Sequence, residues 1–277
     1  PKTGQVLAMV SSPTFNPSMM IGKLRGKYQR DLTLDPAKPL LNRAIMGQYP
    51  PGSTFKTSQA VTYYTEGIIN DSTRYVCNHG FNFKGLHVGC HSHASPLALV
   101  PAISTSCNGY FCWGLYHMLS NRKKYKTLDD AMTVWRNYMV SMGFGYKLGI
   151  DLPGEKRGMI PNAQFYDHAF KTWNPLSVIS ISIGQGEVNL TPLQIANLGA
   201  TIANRGYYVT PHIVRHIEGK KLDKKYLEHH RTKGSVRSYQ EVIAGMMSSV
   251  RGGTCAHAVH PGYSLAGKTG TAQNRGR

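Results

Sequence analysis

The chain has 277 residues, 41% of them hydrophobic and 17% charged, a balance that suits a globular protein with a real core and argues against disorder. Thirty-two basic against fourteen acidic side chains give a formal charge of +18, which favours an anionic setting such as an acidic polymer or an acidic membrane surface. The basic residues are dispersed, with only short clusters such as Lys220-Lys221, and no arginine-rich helix, zinc-finger spacing or aromatic-basic ribonucleoprotein pattern occurs, so nucleic acid is not an expected partner.

Residues 4–10, Gly-Gln-Val-Leu-Ala-Met-Val, read as a strand directly after Pro1. No signal peptide precedes them and no apolar run approaches the roughly 20 residues of a membrane helix. A natural start, and any anchoring segment, is therefore expected outside this sequence. Residues 13–42 form a polar stretch rich in proline and basic side chains. Pro50-Pro51-Gly52-Ser53 reads as a tight turn feeding a helix over 54–66 that ends at Gly67. A hairpin is predicted within 74–92, with arms 74–77 and 86–90. Helices follow over about 96–104, 108–119 and 128–142, then a loop over 143–158. Residues 175–177 could start a short helix. Thr191-Pro192-Leu193-Gln194 starts a clearer one, with threonine as N-cap and proline in the first turn, ending near Asn204-Arg205-Gly206. A strand over 207–214, a helix over 239–250 and a strand over 263–271 complete the chain. Strands at both ends and helices between them predict a mixed architecture, with one sheet built from sequence-distant strands and a helical insertion over roughly 68–205.

Three short elements carry chemistry. In Ser53-Thr54-Phe55-Lys56 the serine stands at a helix entrance, where the dipole favours developing negative charge, and the lysine follows nearly one turn later on the same face. A lysine desolvated beside other cations is neutral enough to take the serine proton. Alone, such a pattern also describes an N-cap serine with a surface lysine; the rigid Tyr49-Pro50-Pro51-Gly52 corner makes it more specific. Ser106-Cys107-Asn108, at a helix junction, directs a hydroxyl and an amide into one cleft or serves as ordinary capping. Lys268-Thr269-Gly270-Thr271, on the last predicted strand, alternates Lys268 and Gly270 with Thr269 and Thr271. It suits a substrate carboxylate approaching close to the backbone; a polar edge strand would look the same.

Taken together, with Ser106 53 residues after Ser53 and Lys268 162 residues after Ser106, these elements resemble the S-x-x-K, S-x-N and K-T-G set of penicillin-binding proteins and serine β-lactamases. The flanks Asn42-Arg43-Ala44, Tyr49-Pro50-Pro51-Gly52, Ile183-Gly184-Gln185-Gly186 and Thr191-Pro192-Leu193-Gln194 are similar to the class B transpeptidases of the elongation-specific, penicillin-binding protein 2 type. The resemblance covers nearly the whole chain. It implies an α+β fold of the penicilloyl-serine transferase class, an antiparallel sheet flanked by helices with a mainly helical subdomain, truncated at both ends and lacking its C-terminal strands. It implies a D,D-transpeptidase that cross-links peptidoglycan stem peptides, is inhibited covalently by β-lactams, works with a membrane-embedded glycan polymerase, and sits at the periplasmic face of the inner membrane on an N-terminal helix outside this sequence.

The implied roles are Ser53 as nucleophile, Lys56 as general base, Ser106 as proton relay tuned by Lys268, and Asn108 as holder of Lys56 and the substrate amide. Thr269, Gly270 and Thr271 would bind substrate, and no cofactor is implied. Gly184-Gln185-Gly186 reads equally as a substrate-lining turn or a structural one. Cys77 and Cys90, on the two predicted hairpin arms, suit a cross-strand disulfide, a zinc site with His79, His91 or His93, or free thiols. Cys107 is expected as buried packing. The rival functions are a β-lactamase, for which Glu155 and Glu187 lack the E-x-x-L-N context of a deacylating glutamate, and a β-lactam sensor. With elements missing, the isolated chain is expected to be poorly stable.

Overall fold

A computed structural model describes residues 2–272. Its α-helices are α1 Arg25–Leu34, α2 Arg43–Met46, α3 Lys56–Thr65, α4 Leu99–Ser104, α5 Asn108–Ser120, α6 Leu128–Ser141, α7 Ala163–Ala169, α8 Pro192–Ala203 and α9 Val236–Gly252. Two antiparallel ladders accompany them. Strand β1 (Gly80–Phe83) pairs with β2 (Leu86–Gly89), and β3 (Tyr207–Val209) with β4 (His229–Arg231).

Helix α3 is the hub. Lys56 to Tyr63 are all buried, and α4, α5, α6 and α9 pack around it. A helix covered on every side cannot show an amphipathic stripe, which is why its surroundings read poorly from periodicity. Phe55 at its entrance meets Trp135 of α6 edge-on at 6.4 Å and Phe144 at 5.8 Å. Inside this apolar bed the Gln59 side chain is satisfied, its carbonyl accepting from Trp135 Nε1 at 2.8 Å and the Tyr63 hydroxyl at 2.9 Å. Helix α6 opens with a reciprocal capping box between Thr127 and Asp130, and α8 with one between Thr191 and Gln194. These two, with α5, lie within a residue or two of where the sequence places them.

The strands depart further. Residues 4–10 form no ladder: Gln5 makes one parallel bridge to His212, while Leu7 and Val10 are exposed. Residues 263–271 form no strand, so Lys268-Thr269-Gly270-Thr271 is an unpaired segment. The strand predicted over 207–214 stops at Val209. Among the described residues the two ladders stay separate and no sheet joins the chain ends. In the predicted hairpin the second arm is correct, but the first is shifted. Tyr75 bridges Leu97 instead, and the partner of β2 begins at Gly80. Helix α1 lies inside the stretch expected to be irregular; it buries no residue and so carries no apolar signal. Residues 175–178 form turns and the 3₁₀ segment follows only at Ile179–Ile183.

Candidate active site

Ser53 sits in a 3₁₀ turn, Gly52–Phe55, that runs straight into α3. Two backbone contacts brace this corner. The Gly52 N–H donates to the Gly184 carbonyl at 2.9 Å. Gly52 itself has φ +55, and a Cβ there would fall 2.3 Å from the Thr271 carbonyl oxygen. Gly184 has φ +71, and a Cβ on it would fall 2.2 Å from the Gly52 carbonyl oxygen. Only glycine fits either position. The first and third motifs and the Gly184 turn therefore meet backbone to backbone.

At the first residue of α3, the Lys56 side chain is 0% exposed. Its ammonium donates to the Ser106 carbonyl at 2.7 Å, to Asn108 Oδ1 at 2.6 Å and to Ser106 Oγ at 3.3 Å. Ser106 lies between α4 and α5 with φ +57, a left-handed conformation that a serine adopts at a cost. That backbone turns both its carbonyl and its hydroxyl toward Lys56. The same hydroxyl accepts from Lys268 Nζ at 2.7 Å. Lys268 also donates to the Thr269 carbonyl at 3.2 Å. Burial pushes the Lys56 ammonium down to about 8. Burial and then the Lys56 charge push Lys268 down to about 7. Two amines thus flank one hydroxyl, each close to losing its proton near neutral pH.

Asn108 is held from both ends. Its Oδ1 accepts from Lys56, and its Nδ2 donates to the Gly89 carbonyl of β2 at 2.7 Å. A cleft of about 800 Å³ is lined by Ser53, Ser106, Asn108, Thr269 and Thr271, together with His87, Gly89, His91, Gln185 and Thr254. The eight residues singled out from sequence therefore converge. Ser53, Ser106, Asn108, Thr269 and Thr271 line the cleft; Lys56 and Lys268 lie behind it. A Cβ on Gly270 would come 2.9 Å from Thr54 Cγ2, so this glycine lets the third motif lie close to the first.

Sequence reasoning missed Thr254, whose Oγ1 accepts from Thr269 Oγ1 at 3.0 Å and whose N–H donates to the Ser104 carbonyl at 3.0 Å. The double glycine that ends α9 was its only signal: a Cβ on Gly253 would fall 2.4 Å from the Ser104 carbonyl oxygen. The Gly184 turn, left open from sequence, is structural through Gly184 and cleft-lining through Gln185.

Of the three readings of Cys77 and Cys90, the disulfide is the one overturned. All five are free, so no disulfide joins Cys77 to Cys90. Cys107 is more than packing: its sulfur accepts from the Tyr110 N–H at 3.2 Å, capping α5, and Cys90 Sγ accepts from the Asn108 N–H at 3.2 Å. Ligand atoms of Cys77, Cys90, His93 and Cys107 lie within 4.8 Å of one another. Hydrogen bonds from Cys107, Asn108 and His93 hold the Cys90 thiol below its usual range. Three thiols and one imidazole in such a cluster suit a tetrahedral zinc ion. The imidazole is His93; His79 and His91 stand outside the group.

The whole chain, residues 1–277, matches the penicillin binding protein transpeptidase domain. The chain belongs to that family. It is 34% identical over 290 residues to the peptidoglycan D,D-transpeptidase MrdA of Acinetobacter baumannii, covering 99% of this chain and 40% of that protein. Against MrdA of Escherichia coli K12 the identity is 28% over 286 residues, covering 99% and 43%. The fold superposes on Pseudomonas aeruginosa PBP2 in complex with WCK 5153 with a TM-score of 0.81 at 27% identity, covering 98% of this chain and 61% of that one. It superposes with a TM-score of 0.82 at 31% identity on a chain of a peptidoglycan synthase complex described as coordinating polymerization and crosslinking, covering 99% and 45%. The chain therefore spans about two fifths of the curated relatives it matches, and its mixed α/β architecture is that of the penicillin-binding transpeptidase domain.

Proposed function

We propose that this chain is the transpeptidase unit of an elongation-type peptidoglycan D,D-transpeptidase, acylated at Ser53 by stem peptides and, at the same atom, by β-lactams. One observation carries the reading. The Ser106 hydroxyl lies 2.7 Å from Lys268 Nζ and 3.3 Å from Lys56 Nζ, in the cleft that Ser53 also lines.

In the proposed sequence, neutral Lys56 takes the Ser53 proton and Ser53 Oγ attacks the carbonyl of the penultimate D-alanine. The Ser53 and Thr271 backbone N–H groups stabilise the oxyanion, at roughly 3 kcal/mol per donor. Ser106, backed by Lys268, passes a proton to the leaving nitrogen, and the terminal D-alanine departs. The amine of a second stem peptide then attacks the ester, the amide bond forms, and the proton returns to Ser53 through the same groups. Thr269, Thr271 and Lys268 grip the substrate carboxylate, with Gly270 keeping the backbone close. The second Nδ2 hydrogen of Asn108 serves the substrate amide.

A class A β-lactamase would need a glutamate to activate deacylating water. Glu155 is buried and accepts from the Leu148 and Gly149 N–H groups at 2.7 and 2.9 Å; Glu187 accepts from the Tyr166 hydroxyl at 2.8 Å. Neither lines the cleft, which favours the transpeptidase reading. The names of the relatives support a place at the periplasmic face of the inner membrane, beside a membrane-embedded glycan polymerase; the helical subdomain over roughly 68–205 rests on helices α4 to α8, which fall within it. None of the described helices is long and apolar enough to cross a membrane.

Labelling the full-length protein with a fluorescent penicillin tests this directly. One adduct per chain is expected, mapping to Ser53 and absent from Ser53→Ala. An adduct elsewhere, or none on folded protein, would sink the proposal.

A further inference from the structure

We infer that His87 binds the acceptor amine of the cross-linking step, an inference that rests on the transpeptidase reading above. Strand β2 alternates cleanly. Over residues 86–91, Leu86, Val88 and Cys90 are half-buried against the core, while His87, Gly89 and His91 are exposed; every one of the six but Leu86 lines the cleft. Gly89 is also where Asn108 is anchored, through the 2.7 Å bond to its carbonyl. A Cβ built on Gly89 would lie 3.5 Å from His87 Nε2, so the imidazole stands over this glycine with Nε2 turned along the cleft wall.

The proton on that ring is assigned by its neighbours. His87 Nδ1 lies 2.5 Å from Asn82 Oδ1. Asn82 Nδ2 donates to the Asn78 carbonyl at 2.8 Å, which fixes the amide so that its oxygen faces the ring. Nδ1 therefore carries the hydrogen, and Nε2 of the neutral ring offers a lone pair to the cleft.

That lone pair fills a gap in the chemistry of the site. Lys56, Lys268, Ser106, Thr254, Thr269 and Thr271 suit the anionic donor and its oxyanion, and among the described residues no Asp or Glu lines the cleft. An ammonium would meet the two buried lysines and be repelled. The incoming nucleophile must arrive as a neutral amine, which donates a hydrogen bond and seeks an acceptor. His87 Nε2 supplies one on the wall that carries Asn108, in the same cleft that the Ser106 hydroxyl lines. The amine then occupies the space that nitrogen has vacated.

The test uses the full-length protein, a thioester analogue of an acyl-D-alanine donor, and D-alanine as acceptor. The readouts are the half-saturating acceptor concentration and the ratio of aminolysis to hydrolysis, with fluorescent penicillin reporting whether the nucleophile and fold are intact. His87→Ala should raise the half-saturating acceptor concentration about fivefold, the weight of one neutral hydrogen bond. Aminolysis should fall relative to hydrolysis by a similar factor, while penicillin acylation persists. His87→Gln, which keeps an acceptor oxygen, should recover part of the loss. An unchanged half-saturation in His87→Ala overturns the inference, as does a parallel fall of aminolysis, hydrolysis and penicillin acylation. Failure of the parent protein to be acylated at all would instead remove the transpeptidase reading beneath it.

Discussion

Three hydrogen bonds occupy all three protons of the Lys56 ammonium, so the resting site is organised around a charged Lys56 that must lose a proton before it can act. Both buried lysines have pKa values pulled below the ordinary 10.5, Lys56 to about 8 and Lys268 to about 7. The sign follows from proton counting. Between the folded and unfolded values the unfolded chain binds more protons, so stability contributed by these groups rises with pH across that window, from about 7 toward 10.5. Melts of the full-length protein from about pH 7 to pH 9 should show the midpoint rising, and Lys268→Met should flatten that rise. Acylation by penicillin should climb over the same range up to about 8, as the neutral fraction of Lys56 grows. A flat acylation profile would place the base elsewhere. The lysine–serine logic was legible in the sequence because residue type and one-turn spacing encode it. The pairing of Lys268 with Ser106 came only through the family resemblance, since that contact crosses 162 residues, and Thr254 was missed because no local pattern marks its contact with Thr269.

At the scale of elements, the junction between α4 and α5 shows how a helix start can be shaped for chemistry. Capping alone would be satisfied by Cys107, whose sulfur takes the Tyr110 N–H. What capping does not explain is Ser106 at φ +57. Comparing two variants separates the strain from the hydroxyl. Ser106→Ala and Ser106→Gly both lose the group between the lysines, so acylation should drop by about 10²–10⁴ in each. Only glycine accepts the left-handed backbone freely, so Ser106→Gly should be more stable than Ser106→Ala by about 1 kcal/mol in denaturant titrations. Equal stability would mean the loop relaxes. Helices α5, α6 and α8 were readable because caps and apolar spacing are local properties. The terminal strands were not, because an extended apolar run becomes a strand only when another pairs with it. The first hairpin arm slipped for a related reason: Tyr75 satisfies its backbone against Leu97 rather than β2. The fourth member of the thiol–imidazole cluster was hidden by position, since Cys107 joins it from a different motif.

Across the whole molecule, one buried helix carries the nucleophile turn, the base and the core at once. A single core surrounds α3, with a smaller apolar cluster of Ile45, Leu148, Ile150, Leu193 and Tyr208 beside it. The charge of +18 is spread over the surface; it suits an acidic polymer as substrate without marking where that polymer binds. The site instead announces itself by contact density of backbone on backbone. Gly52, Gly184 and Thr271 leave no volume for even one added methyl group. If Ser53 is acylated as proposed, antibiotic selection finds no escape route at this corner, because a side chain added at Gly52 or Gly184 dislodges the serine turn. Resistance has room to evolve at the rim, where Gln185 and Thr254 present side chains that can change while the corner stays as it is. Sequencing of survivors should find substitutions there and leave both glycines untouched.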